Sequence, residues 1–103
     1  MSKSDEERKH QDLVVERIQT GVRMEKRMVK VLKGLAEYLD ISLGDLLEGI
    51  VLHSFDGQAP FSVQTLEVIA RLKEVYGMDY AIEASHHLKE KTSQHKEPNR
   101  DTL

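Results

Sequence analysis

The sequence predicts a mainly α-helical protein with one short strand. Hydrophobicity alternates with period two over residues 17–24, then switches to helical spacing from Met28 onward. Serine caps and glycine stops divide the helical part into separate pieces.

A chain of 103 residues with 39% hydrophobic content is the size of one domain and has no room for a second independent core. Residues 1–16 are polar almost throughout and read as a flexible N-terminal arm. From Arg17 the order Arg-Ile-Gln-Thr-Gly-Val-Arg-Met puts Ile18, Thr20, Val22 and Met24 on one face of a strand and Arg17, Gln19, Gly21 and Arg23 on the other. Period two stops at Glu25. Met28, Val31, Leu32, Leu35 and Leu39 then mark a helix from Lys26 to Leu39, with Lys26, Arg27, Lys30 and Lys33 largely outside.

Asp40-Ile41 interrupts that helix. Ser42 can cap the next one, with Asp45 three residues on and Leu43, Leu46, Leu47, Ile50, Val51 and Phe55 as its apolar set. Asp56-Gly57 supplies a stop. Ser62 can cap a third helix that ends at Gly77, and Asp79 a fourth from Tyr80 to about Lys89. The organisation expected is an arm over 1–16, a strand-helix-helix unit over 17–57, a helical extension over 58–90 and a disordered tail over 91–103.

A lone strand has no ladder partner in its own chain, so its unpaired edge predicts antiparallel pairing with a second copy. The expected dimer core is Ile18, Thr20, Val22, Met24, Val31, Leu35, Leu47, Ile50 and Val51. The opposite face carries Arg and Gln, whose side chains make bidentate bonds to base edges in the major groove of double-stranded DNA. Arg17, Gln19, Gly21 and Arg23 are therefore the candidate base contacts. Lys26 and Arg27, with the free amides at Ser42, Leu43 and Gly44 at a helix start, are the candidate phosphate contacts.

Charge is distributed unevenly. The net charge is −3, yet residues 17–34 hold six Lys or Arg against one acid, and residues 35–90 hold ten acids against three bases. A local basic field steers an anion even when the whole molecule is acidic.

These residues resemble the ribbon-helix-helix repressors, the family of the Arc and methionine repressors. Gln19-Thr-Gly-Val-Arg23-Met24 is similar to the family's reading strand, and Ser42 stands at the cap that touches the phosphate backbone there. Asp40 stands where the family often has glycine in the turn between helices, which implies a left-handed backbone at an aspartate. The resemblance implies a homodimeric transcriptional regulator, a repressor with an intermolecular antiparallel β-ribbon; the two additional C-terminal helices read from the sequence are expected to clamp that dimer, enlarge it to a tetramer or bind another protein.

Three other readings compete. Leu35 to Leu47 also fits a helix-turn-helix, but its recognition helix, Ser42 to Leu52, has Asp45 and Glu48 and no Lys or Arg to face phosphates. A dimerisation module that does not bind DNA, or an antitoxin, would engage a protein partner through residues 58–90. An enzyme has little to work with. Cysteine is absent, no Gly-rich phosphate loop occurs, and the adjacent His86-His87 rings diverge on a helix, so no metal, cofactor or catalysis is expected. No apolar run reaches the length of a membrane span, which points to a soluble cytoplasmic protein.

Overall fold

The computed structural model describes residues 12–91, which form three helices and one short 3-10 turn. Helix α1 spans Lys26–Leu39, α2 Leu43–Phe55 and α3 Val63–Tyr76; the 3-10 turn is Ile82–Ala84. Most of the arm expected over 1–16, and the tail beyond Lys91, lie outside the described residues.

The expected strand does not form, and among the described residues there is none. Residues 12–25 have no regular secondary structure, and residues 12–24 are all exposed. The physical reason is pairing. A strand is held by ladder bonds to a neighbour, the chain offers no other alternating segment, and no backbone hydrogen bond involves residues 12–24 among the described residues. The ribbon-helix-helix fold therefore fails on its defining element, and the described residues form a three-helix arrangement preceded by an irregular segment.

Local chemistry accounts for each helix end. Ser42 accepts a hydrogen bond from the Asp45 amide at 3.1 Å, and Ser62 accepts one from the Thr65 amide at 3.1 Å. Glu25 caps α1 by accepting from the Met28 amide at 3.2 Å. Asp40 ends α1 in the left-handed region at φ 61°, where its amide returns to the carbonyls of Ala36 and Glu37. Gly77 does the same for α3 at φ 67°.

The expected fourth helix is also corrected. Only Ile82–Ala84 makes a turn there, without a side-chain cap, and His86 at φ 67° closes off any continuation. The segment has too few apolar residues to offset helix nucleation, and Asp79 faces Arg27 instead of capping.

Helix α1 is the centre of the fold, packing against both α2 and α3. Val31, Leu35 and Ala36 of α1 and Leu46 of α2 are buried; Leu32, Leu39, Ile50, Phe61, Val68, Ile69 and Leu72 pack against the cluster of Leu35, Ala36 and Leu46. Gly34 lets α3 come close, because a Cβ there would stand 3.0 Å from Leu72 Cδ2. The core is small, and much apolar surface outside it stays uncovered.

Candidate functional site

The residues expected to read DNA are divided by the structure into different environments. Arg17, Gln19, Gly21 and Arg23 are all exposed on the segment before α1. Arg17 is not free. Its Nε and Nη2 donate to the two carboxylate oxygens of Glu48 at 2.9 and 2.8 Å, a fork that clasps the segment to the middle of α2. The pairing holds the Glu48 carboxyl below the usual range, chiefly through the hydrogen bonds from Arg17. Arg23 pairs with Glu90 near the other end of the described chain.

The candidate phosphate contacts divide similarly. Lys26 is exposed at the first position of α1, and Ser42 and Gly44 are exposed around the start of α2, with Leu43 half-buried between them. Nothing lies within 4 Å of a Cβ built on Gly44. Arg27 is half-buried and committed internally. Its Nε donates to Glu25 at 3.0 Å, its Nη1 donates to the Gly77 carbonyl at 2.9 Å and to Asp79 at 3.3 Å, and its guanidinium carbon lies 5.5 Å from the centre of the Tyr80 ring. In the single chain its guanidinium is thus engaged by the protein itself. Lys30 similarly stands 5.7 Å from the Tyr76 ring, while Lys33 is exposed.

Sequence reasoning missed the centre of this cluster, the pair Glu25 and Tyr80. The Tyr80 hydroxyl donates to Glu25 Oε1 at 2.6 Å, tying the start of α1 to the chain that follows α3. The bond from Tyr80, helped by Arg27 and the Met28 amide, lowers the Glu25 pKa to about 2. Burial, with the same bond, raises the Tyr80 hydroxyl to about 12. No sequence signal marks a pair separated by 55 positions. Only the unusual choice of glutamate as an N-cap hints at a second role for Glu25.

The pair sets two pH limits. Glu25 ionises more easily folded than unfolded, so its contribution is present above about pH 4.5 and is lost as pH falls toward about 2. Tyr80 holds its proton more tightly folded than unfolded, so its contribution is present below about pH 10 and is lost as pH rises toward about 12. Thermal unfolding followed across this range should show a plateau with both limbs. Tyr80→Phe should remove the alkaline limb contributed by this group and shrink the acid limb, because the folded Glu25 value moves back toward 4.5 while the onset near pH 4.5 stays where it is; an unchanged profile would contradict the assignment.

The expected dimer core also falls into two sets. Val31 and Leu35 are buried and Ile50 is packed against the core of the single chain, so no second copy is needed to cover them. Ile18, Thr20, Val22, Met24 and Val51 are exposed and Leu47 is half-buried. Leu52 and Phe55 join the exposed set at 65% and 80% accessibility, beside Ile18 at 84% and Val22 at 75%.

Among the described residues no group of three His, Cys, Asp or Glu side chains is arranged to hold a metal ion. Nor is any described helix long and apolar enough to cross a membrane. Comparison with protein-family models, with curated proteins and with solved structures gives no match.

Proposed function

We propose that this chain is a DNA-binding transcriptional regulator that works as a homodimer. Two copies bury the uncovered apolar side chains of residues 12–24 and α2, and the dimer offers Gln19, Arg23, Lys26 and the start of α2 to duplex DNA. The observation that carries the reading is the Arg17–Glu48 clasp. It brings a segment with exposed Ile18 and Val22 onto the helix that exposes Val51, Leu52 and Phe55. Large apolar side chains gathered in this way, rimmed by polar groups, mark an association surface on a soluble domain. Basic residues 17–33 border that surface and supply the charge that a phosphate backbone requires. The first turn of α2 adds amides of the kind that suit one phosphate.

A second reading is favoured by a specific observation. Glu48 and Glu90 occupy the two arginines expected to read bases, as they would in a partner-binding module that never meets DNA. In the DNA reading these carboxylates compete with the duplex, and Arg17 must leave Glu48 to reach a base. Selection of bound sequences from a random DNA pool, followed by titration of the enriched site at several salt concentrations, separates the two. DNA binding predicts an enriched motif and an affinity that falls steeply with salt. Glu90→Gln, which leaves the Arg17–Glu48 clasp intact, should then tighten binding several-fold by releasing Arg23 and removing a negative charge. A flat selection with no retention on DNA at low salt would leave the partner module as the reading.

A further inference from the structure

We propose that the open groove between α1, α3 and residues 78–88 is a binding site for a small monocarboxylate with an apolar body. The groove measures about 390 Å³, and Leu32, Ile69, Met78, Ile82 and Leu88 supply much of its wall. That volume lies in the range of small-molecule sites and would hold roughly a dozen water-sized groups at about 30 Å³ each. Water is a poor occupant for such a lining, because it finds few polar partners there. An aliphatic or aromatic body is the better fit.

Charge selects the other end of the ligand. Lys73, in the last turn of α3, is part of the wall, is half-buried, and makes no ion pair or side-chain hydrogen bond among the described residues. A lysine that lines an apolar groove without an acidic partner among the described residues suits an anion, and a single carboxylate is the smallest group that satisfies it while leaving the rest of the molecule apolar. An amine of the same length would instead set like charges together.

The groove is also connected to the segment before α1. Tyr80 forms part of the wall, and its hydroxyl donates to Glu25, the cap that follows directly on Arg23 and Met24. An occupant therefore abuts the residue that anchors the proposed DNA-facing segment. This coupling rests on the DNA-binding reading, whereas ligand binding itself does not, so binding is measured without DNA.

The test is calorimetric titration of the full chain with octanoate, octan-1-ol and octylamine. Octanoate is expected to saturate at one molecule per chain, octan-1-ol to bind about fivefold more weakly, and octylamine not to bind. Lys73→Met should reduce octanoate to the level of octan-1-ol and leave the alcohol unchanged. Ala84→Trp, at a groove position outside the buried cluster, should abolish both while circular dichroism shows the helices retained. Absence of saturable octanoate binding at millimolar concentration, equal binding of octylamine, or an unaffected Ala84→Trp would each overturn the site.

Discussion

Leu35→Ala is expected to lower the unfolding free energy by about 2–5 kcal/mol, the range found when a buried leucine is cut back to its Cβ. Leu35 is 1% exposed and is the one fully buried large side chain among the described residues. It lies on α1, the helix against which both others pack, so the void it leaves touches both interfaces. Domains of this size hold together by about 5–15 kcal/mol in total, and this core has few other buried residues to share the loss. Urea denaturation followed by circular dichroism should show a much earlier midpoint or no folded baseline. Val63→Ala, at a position 70% exposed, serves as the control and should shift the midpoint little. Equal effects of the two changes would mean that the core lies elsewhere.

If the chain pairs as proposed, Val22→Glu is expected to abolish the proposed dimer while leaving the three helices folded. Val22 is 75% exposed in the single chain, outside the Leu35 cluster, so a carboxylate there stays solvated in the monomer. Burying the same carboxylate between two copies without a partner is strongly unfavourable. Sedimentation should show the dimer for the parent and the monomer for the variant, with matching far-ultraviolet circular dichroism. DNA affinity should drop by a factor of about a hundred or more, because two linked half-sites bind with an avidity that one lacks. A variant that remains dimeric would remove Val22 from the interface, and one that unfolds would show that the helices depend on the second copy.

What could be read from the sequence was local. Ser42 and Ser62 cap the helices they precede because a hydroxyl reaches an amide three residues away, whatever the rest of the fold does. Asp40 takes the left-handed conformation expected of it, and Gly77 ends α3 for a similar reason. The bounds of α1 follow from the spacing of Val31, Leu35 and Leu39.

What escaped was non-local. Alternation over residues 17–24 describes a segment that could face two environments, but a strand exists only with a partner, which the single chain does not provide. Arg27 carries the charge of a phosphate ligand, yet Glu25, Asp79 and the Gly77 carbonyl take it up, two of them about fifty positions away. Glu48 and Glu90 are ordinary helix-surface or loop acids in the sequence, and only the folded chain shows which arginines they hold.

The irregular segment has a further consequence, for proteolysis. Trypsin needs an exposed basic residue in backbone free of regular structure, and Arg17 and Arg23 lie in such backbone, whereas Arg27 lies in α1. Early cuts after Arg17 and Arg23 should therefore shorten the chain without melting α1. Resistance at those two bonds that grows with protein concentration would report, site by site, how much of the segment a second copy covers.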